Sequence, residues 1–234
     1  MKQHEIENLF DDDYAAAYNK NYLLGEHFRE CTEFELSLVR NLLFDARNWL
    51  DIACGTGYVL SRYPNVERAG LDLSPSMLSV ARRANPGVPF YEHDFREPFD
   101  DMQARWDLVS CMWYSYCYAE SIEEIRKIVS NMATWTSSRG SCFMPVCDPK
   151  AVCSINVSYP ATSHGNLKIT GLIWDWTDIP SGKRHLNLLA PTTELLVDMF
   201  LVFFNEVTVI PYPAFVTDCR AATRAIVAKR KRGI

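Results

Sequence analysis

The sequence of 234 residues predicts an α/β fold with a doubly wound, mostly parallel sheet and an antiparallel β insertion late in the chain. Up to about residue 148, short apolar runs of buried-strand type alternate with amphipathic helical segments, an order that favours a parallel sheet. After residue 148, partial two-residue alternation interrupted by turn signals is typical of antiparallel strands. We therefore expect one α/β domain that carries an insertion.

Five apolar runs have the length and composition of buried strands: RNWLDIA (47–53), RAGLDL (68–73), VPFYEH (88–93), WDLVSCMW (106–113) and GSCFMPVC (140–147). Helices are predicted at 32–44, 74–84, 121–135 and 192–204, and two more strands at 206–210 and 224–228. The helix of 74–84 has the clearest start, because Ser74 is a typical N-cap and Pro75 occupies the first helical position. Antiparallel strands are expected at 151–160, 166–178 and 182–189.

Composition limits the possible partners. The net charge of −5 gives a mildly acidic surface that would not attract a polyanion, and we interpret the only basic run, at 229–233, as a solvated tail. No apolar run approaches the roughly 20 residues of a membrane span, and the N-terminus is too polar for a signal peptide. The eight cysteines lack zinc-site spacing. We expect a cytoplasmic protein without metal, nucleic-acid or membrane partners.

The stretch DIACGTG (51–57) follows an apolar run, where the first turn of a parallel sheet binds ligands. Gly55 and Gly57 permit positive φ and leave room for a ligand beside the main chain. Exposed N–H groups at the start of the next helix can hold a carboxylate. Asp72 ends the second predicted strand, from which it could accept hydrogen bonds from the two hydroxyls of a ribose.

Four motifs occur in the order and at the strand ends typical of class I S-adenosylmethionine-dependent methyltransferases: D-x-A-C-G-T-G, G-L-D-L-S-P-S-M-L, H-D-F and W-D-L-V-S-C-M. The chain resembles this Rossmann-like family strongly over residues 45–148, and more loosely from Tyr14 to the C-terminus. Within the family it is most similar to small-molecule N-methyltransferases of nucleotide-linked amino sugars. Four sequence segments carry that likeness: LSPSMLSVARRANPGV, SCMW, DDDYAAAYNKNY and GKRH (182–185).

The resemblance implies that S-adenosyl-L-methionine is the cofactor and S-adenosyl-L-homocysteine the product. It places four residues beside the methionine half: Asp51, Ala53, Gly55 and Gly57. It places five beside the adenosine half: Asp72 on the ribose, and Leu73, Met77, Asp94 and the Phe95 backbone on the adenine. Cys111 is a further cofactor candidate, as are Tyr14 and Tyr18, which with Tyr22 share one helical face and would form a lid. Core packing for Leu73 and Met77, a turn role for Asp94, and simple packing of the tyrosines are the alternatives.

The predicted catalytic residues are three tyrosines after the fourth strand and a histidine of the insertion: Tyr118, Tyr116, Tyr114 and His185. The tyrosines alternate and are expected to overhang the methyl position, with loop packing as the alternative. Tyr118 stands where the resembling enzymes carry a histidine. Because a free phenol has a pKa of about 10, Tyr118 should orient the acceptor and not act as a strong base. His93 is a second histidine candidate, with local packing as the alternative for both histidines, and the WDW segment (174–176) could be an acceptor platform or a dimer contact.

We expect four segments: a helical lid or cap (1–44), a cofactor-binding core (45–148), the antiparallel insertion (149–190), which contacts the acceptor or a second copy in a homodimer, and the last helix and strands (191–234). The expected reaction moves a methyl group to a nitrogen or oxygen of a small-molecule acceptor such as a sugar, an amine or a natural-product scaffold. Two alternatives stay open: an RNA or protein methyltransferase, and a non-catalytic module that only binds S-adenosylmethionine.

Overall fold

A computed structural model describes residues 3–26, 28–147, 149, 171–178, 180–213, 216 and 222–233 of the chain. The predicted strand at 151–160 and the first part of the one at 166–178 lie outside these residues. Of the helices in the described part, none has the length and apolar character needed to cross a bilayer.

The strands within these residues are β1 (Asn48–Ile52), β2 (Glu67–Asp72), β3 (Phe90–Glu92), β4 (Trp106–Cys111), β5 (Thr136–Cys147), β6 (Gly171–Thr177), β7 (Arg184–Pro191), β8 (Phe204–Pro211) and β9 (Ala222–Lys231). Seven of them form a sheet in the order β3-β2-β1-β4-β5-β9-β8. Neighbours from β3 to β5 run parallel, and β9 is antiparallel to both β5 and β8. Strands β6 and β7 form a separate antiparallel hairpin, so the predicted fold is confirmed.

The helices are α1 (Gln3–Leu9), α2 (Asp12–Tyr18), α3 (Arg29–Leu43), α4 (Tyr58–Ser61), α5 (Pro75–Ala84), α6 (Ile122–Trp135) and α7 (Thr193–Leu201). A π-helical turn covers Asn19–Leu23, and 3₁₀ turns cover Asp100–Met102 and Ser115–Tyr118. Side-chain caps fix where two helices begin. Ser74 Oγ accepts from the Met77 N–H at 3.2 Å, and Ser121 Oγ accepts from the Glu124 N–H at 3.2 Å.

The sheet is buried on both faces, because side chains of one strand alternate between two clusters. Leu50 and Ile52 of β1 belong to the cluster that contains Ile128 of α6. Trp49, which points to the opposite face, belongs to the cluster that contains Leu78 of α5. These five side chains are each fully buried. Helices on both faces of a mostly parallel sheet are the doubly wound arrangement that the sequence predicted.

Three predicted boundaries need correction. The helix expected at 192–204 ends at Leu201, since Phe204 already begins β8. The strand expected at 140–147 begins at Thr136. The basic run is not a free tail over its first three residues, because they continue β9: Lys229 lies opposite Glu206, and the Lys231 ammonium donates to the Thr136 carbonyl at 2.7 Å.

Candidate active site

A cleft opens at the carboxyl ends of β1, β2 and β4. The chain places β2 on one side of β1 and β4 on the other, so the strand order reverses here, where doubly wound sheets bind ligands. The cleft has an empty volume of about 830 Å³, its open mouth included. Residues from these three strand ends and from the segment after β3 form its floor, and residues from the N-terminal helices and the hairpin form its cover.

Asp72, at the end of β2, is the anchored acid of the floor. Its Oδ2 accepts from the Gly55 N–H at 2.7 Å, and its Oδ1 accepts from the Ser74 N–H at 2.9 Å. Burial raises the pKa of this carboxyl, while the two backbone N–H groups pull it down. Each carboxylate oxygen can accept more than one hydrogen bond, so Asp72 keeps capacity for ligand hydroxyls at a fixed position.

The turn after β1 places Ala53, Gly55 and Gly57 in the left-handed region, with φ of 53°, 55° and 67°. A Cβ on Gly55 would meet no heavy atom within 4 Å, so the space against the backbone is open to a ligand. A Cβ on Gly57 would lie 2.8 Å from Asn85 Nδ2 and 3.1 Å from Ala81 Cβ. Ala53 and Gly55 line the cleft, whereas Gly57 is a packing position against α5, which does not fit its predicted cofactor contact.

Asp51 and Cys111, both predicted to touch the cofactor, lie beneath the floor and not along the cleft. Asp51 is 1% exposed, and its carboxylate accepts from Ser110 Oγ at 2.5 Å. Ser110 Oγ in turn accepts from Trp49 Nε1 at 2.8 Å. Burial raises the pKa of Asp51 to about 7, and the nearby charge of Asp72 adds to the shift. Cys111 is fully buried in the core, so both residues support the floor, and their cofactor contacts stay predictions.

The far end of the floor contains four residues predicted to surround the adenine: Leu73, Met77, Asp94 and Phe95. Arg96, which the sequence reading missed, lies beside them and forms a two-point ion pair with Asp94, with Nη2–Oδ2 at 2.6 Å and Nε–Oδ1 at 2.9 Å. Burial alone would raise the pKa of Asp94, but hydrogen bonds and charge from Arg96 outweigh it and lower the pKa. The acid at this end therefore stays ionised.

The N-terminal cover presents a stripe of five side chains at intervals of four residues: Ile6, Phe10, Tyr14, Tyr18 and Tyr22. The sequence reading found the three tyrosines. The same four-residue spacing, extended towards the N-terminus, also predicts Ile6 and Phe10 on this face. Ring centroids of Tyr14 and Tyr18 lie 5.9 Å apart, and those of Tyr18 and Tyr22 lie 5.0 Å apart, so the stripe is a continuous aromatic surface over the floor.

Two hydrogen bonds attach this cover to the floor. Ser74 Oγ, at the start of α5, donates to the Phe10 carbonyl at 2.7 Å. Thr56 Oγ1, in the turn after β1, donates to Asn19 Oδ1 at 2.5 Å. Both floor residues adjoin positions that line the cleft, so the cover is fixed close to the predicted cofactor end.

The hairpin is attached to the same cover. The Lys183 ammonium donates to Asp11 Oδ2 at 2.6 Å and to the Leu9 carbonyl at 2.7 Å. It also lies 5.3 Å from the centre of the Tyr14 ring. The pKa of Asp11 lies below its ordinary value, chiefly because of the hydrogen bond from Lys183. These contacts hold β7 against the beginning of α2.

The three tyrosines after β4 do not share one environment. Trp113 and Tyr114 have φ of 56° and 59°, so the chain turns sharply instead of continuing as a strand. Tyr118 is half-buried and lines the cleft together with Trp113. Tyr114 and Tyr116 are buried in the core, where the Tyr116 hydroxyl accepts from the Cys147 N–H at 2.9 Å. The expectation that all three overhang the cleft is wrong for Tyr114 and Tyr116.

His185 of β7 lies behind Tyr118 and is 1% exposed. Its Nδ1 is 2.5 Å from the Tyr118 hydroxyl, and its Nε2 is 3.4 Å from the Tyr14 hydroxyl. Its ring packs on Trp176, with centroids 4.5 Å apart. The structure thus brings together three predicted residues from the cover, the floor and the hairpin. His93, the other histidine candidate, is not among the residues that line the cleft.

Comparison with known proteins agrees with this architecture. Residues 50–140 match a family of methyltransferase domains. In this chain the matched residues extend from β1 to the beginning of β5 and include the floor. The resemblance to methyltransferases seen in the sequence is therefore confirmed.

Two of the similar curated proteins modify amino sugars. One is the dTDP-4-amino-2,3,4,6-tetradeoxy-D-glucose N,N-dimethyltransferase of Saccharopolyspora spinosa, 30% identical over 55% of this chain and 52% of its own length. Another is the dTDP-3-amino-3,4,6-trideoxy-α-D-glucopyranose N,N-dimethyltransferase of Streptomyces venezuelae, 30% identical over 53% of each protein. The chain spans about half the length of the curated relatives it matches.

Solved structures match over nearly the whole chain. The S-adenosylmethionine-bound amino pentose methyltransferase CalS10 of Micromonospora echinaspora superposes with a TM-score of 0.60 at 21% identity, covering 94% of this chain and 97% of its own. DesVI of Streptomyces venezuelae superposes with a TM-score of 0.62 at 20% identity, covering 98% of each chain. These matches establish the fold.

Proposed function

We propose that this protein is an S-adenosylmethionine-dependent methyltransferase that methylates an amine nitrogen of a small-molecule acceptor, an amino sugar. The observation that carries the proposal is the anchored Asp72 in a cleft at the reversal point of the sheet, beside the open backbone of Gly55. The relatives with N,N-dimethyltransferase names support nitrogen over oxygen as the nucleophile. When bound, S-adenosylmethionine supplies a methyl group already activated on a positively charged sulfur.

Each floor residue has a defined task in this proposal. Asp72 accepts hydrogen bonds from the ribose hydroxyls, and the open space at Gly55 admits the chain of the methionine half. Asp94, kept ionised by Arg96, accepts from the adenine amino group, while Leu73 packs against the ring. Asp51, Gly57 and Cys111 lie outside the cleft lining, and their cofactor contacts stay predictions.

The cover supplies the conditions for transfer. A methyl transfer requires the acceptor nitrogen in line with the donor and water kept out, and such alignment contributes roughly 7–11 kcal/mol to lowering a barrier. Tyr14, Tyr18 and Trp176 line the cleft from above and present apolar ring faces there. Faces of this kind also attract a cationic sulfonium. Tyr118 contributes a hydroxyl at the cleft wall that can orient the acceptor.

The four segments expected from the sequence keep their roles within this proposal. Residues 1–44 supply the cover, 45–148 the cofactor floor, and 191–234 complete the sheet. The hairpin within 149–190 contributes Trp176 to the cleft, which supports the acceptor role of that segment. Its outer face exposes Ile173 by 65%, and this is where a homodimer contact would form.

Cofactor binding is tested by calorimetric titration with S-adenosylhomocysteine. Asp72→Ala should weaken binding by about 1–3 kcal/mol, the cost of leaving bound hydroxyls without their charged acceptor. Glu92→Ala is the matched control, because Glu92 lies directly opposite Asp72 on β3 but is exposed and outside the cleft lining. Equal affinities for both variants, with the fold intact by circular dichroism, would mean that the ribose site is misplaced.

Acceptor chemistry is tested with methyl-labelled S-adenosylmethionine and four groups of acceptors analysed by mass spectrometry: dTDP-linked amino sugars, free amines, hydroxylated scaffolds, and RNA or protein. Labelled amine products support the proposal, and a second transfer would appear as a doubly labelled product. Labelled hydroxyl products would replace nitrogen with oxygen. Labelled RNA or protein would establish the macromolecular alternative, and cofactor binding without any transfer would establish the non-catalytic one.

A further inference from the structure

We propose that His185, acting through the Tyr118 hydroxyl, accepts the proton that an ammonium acceptor must lose before its nitrogen can attack. This inference rests on the proposed function, since it concerns an amine in the same cleft. Tyr118 touches the cleft, and His185 lies behind it in the protein interior. His185 is therefore a positioning and proton-accepting residue that acts through a neighbour.

The need for such a device follows from amine chemistry. Aliphatic amines are mostly protonated at neutral pH, as the lysine pKa of about 10.4 illustrates, and an ammonium has no lone pair for attack. A phenol with a comparable pKa cannot collect that proton alone. A phenol hydrogen-bonded to an imidazole can, because the imidazole is the side chain whose ordinary pKa lies closest to neutrality.

The geometry fits a relay in one direction. Tyr118 Oη lies 2.5 Å from His185 Nδ1, and Tyr14 Oη lies 3.4 Å from Nε2, so each ring nitrogen faces a phenol. A neutral imidazole has one donor and one acceptor nitrogen. The relay requires Nδ1 to accept from Tyr118 and Nε2 to carry the proton and point it at Tyr14.

The ring that the relay requires to be neutral is buried among aromatic side chains, with Phe10 and Trp176 beside it. Three charged residues belong to the same end of the hairpin and the cover: Lys183, just before β7, Asp178, just after β6, and Asp11, which pairs with Lys183 at 2.6 Å. Burial raises the pKa of the Tyr14 phenol, so that partner stays protonated. The carboxylate of Asp11 accepts from Lys183 at 2.6 Å, and that of Asp178 accepts from the Ser181 N–H at 3.1 Å, so each acid has a hydrogen-bond donor other than His185.

The proton count closes. The ammonium gives a proton to Tyr118 Oη as the phenol passes its own proton to His185 Nδ1, which leaves a neutral amine, an intact phenol and an imidazolium. The amine lone pair then forms the new N–C bond while the C–S bond breaks, and its electron pair stays on sulfur. The imidazolium returns its proton to water when the cover opens for product release.

The first test needs no acceptor. Two-bond ¹H–¹⁵N spectra of imidazole-labelled protein at pH 7.5, with and without S-adenosylhomocysteine, should show His185 neutral and protonated on Nε2. Tyr118→Phe should shift the Nδ1 resonance selectively, and His4→Gln identifies the signals of an exposed histidine as a control. A ring protonated on Nδ1, or on both nitrogens, would overturn the relay whatever the acceptor is.

The second test is kinetic and uses an amine acceptor from the labelled panel, in single-turnover reactions between pH 6 and 10. His185→Gln and Tyr118→Phe should each lose about 10²-fold or more at pH 7, the usual contribution of a base. Their rates should keep rising towards high pH as free amine accumulates, while the parent rate should level off at lower pH, once the imidazole is neutral. The double variant should be no slower than either single variant, because both break one path.

The outcomes separate this inference from the proposed function. Unchanged pH profiles in both variants, with labelled amine product still formed, would refute the relay and leave the N-methyltransferase proposal standing. A small, pH-independent loss in both would reduce Tyr118 to the orienting role expected from the sequence. An absence of methyl transfer in the parent protein would refute the proposed function, and the imidazole spectra would then decide the tautomer separately.

Discussion

Replacement of Gly57 by alanine should destabilise the protein far more than the same change at other left-handed glycines. A Cβ at this position would lie 2.8 Å from Asn85 Nδ2 and 3.1 Å from Ala81 Cβ. The first distance is shorter than real Cβ atoms show, and the second is tighter than most real Cβ contacts. The left-handed φ of 67° costs a residue with a Cβ about 1–2 kcal/mol. Overpacking adds about 1–3 kcal/mol, and a stiffer unfolded chain returns about 0.4–1 kcal/mol. The expected net loss is about 1–4.5 kcal/mol.

Two other glycines isolate the separate contributions. Gly182 has a φ of 69° and nothing within 4 Å of an added Cβ, so Gly182→Ala should cost only about 1 kcal/mol. Gly55 is similarly open, and Gly55→Ala should cost a similar amount of stability while obstructing the cofactor. Urea denaturation gives the stabilities, and calorimetry gives the affinity for S-adenosylhomocysteine. Equal midpoint shifts for Gly57→Ala and Gly182→Ala would refute the claim that close packing on α5 dictates Gly57.

Further outcomes follow from the charged residues. Lys183→Met should speed hydrogen exchange in α2. The lowered pKa of Asp11 stabilises the folded protein only above the ordinary value of 3.8, so the parent protein should lose this contribution below about pH 4. The variant lacks the contribution and should show no such loss. Burial raises the pKa of Asp51 to about 7 in the folded protein, so the unfolded chain releases this proton at lower pH than the folded protein does. The stability of the parent protein should therefore fall between about pH 4 and 7, and Asp51→Asn should flatten that fall in denaturation curves. Arg96→Met should raise the Asp94 pKa and make affinity for S-adenosylhomocysteine drop between pH 8 and 5.5 in calorimetry, where the parent holds steady.

The floor of the site was predictable because its determinants are local. Asp72 lies at the end of β2, and Gly55 lies in the turn after β1. Each position is predictable from a few adjacent residues in the sequence. Asp94 was found in the same way at the end of β3. Its partner Arg96 is only two residues away, but whether an arginine turns back onto an acid or extends into water depends on burial, which local letters do not encode.

The errors at the end of β4 have a clear physical origin. Alternation of Tyr114, Tyr116 and Tyr118 implies a shared face only if the chain remains extended. Two left-handed residues and a 3₁₀ turn replace that extended chain, so the side chains diverge and only Tyr118 reaches the cleft. The meeting of Tyr118 with His185 across 67 positions depends on how the hairpin docks, and no local spacing signals it.

The separation of the hairpin from the main sheet bears on how such a protein changes over generations. In the described part of the chain, β6 and β7 pair with each other and share no ladder with the seven-stranded sheet. Substitutions, insertions or exchanges in the hairpin therefore leave the backbone bonding of the cofactor floor intact. Because the hairpin supplies both Trp176 and His185, the proposed acceptor contact and the proposed proton path can change together within one segment, while the residues of the floor stay as they are.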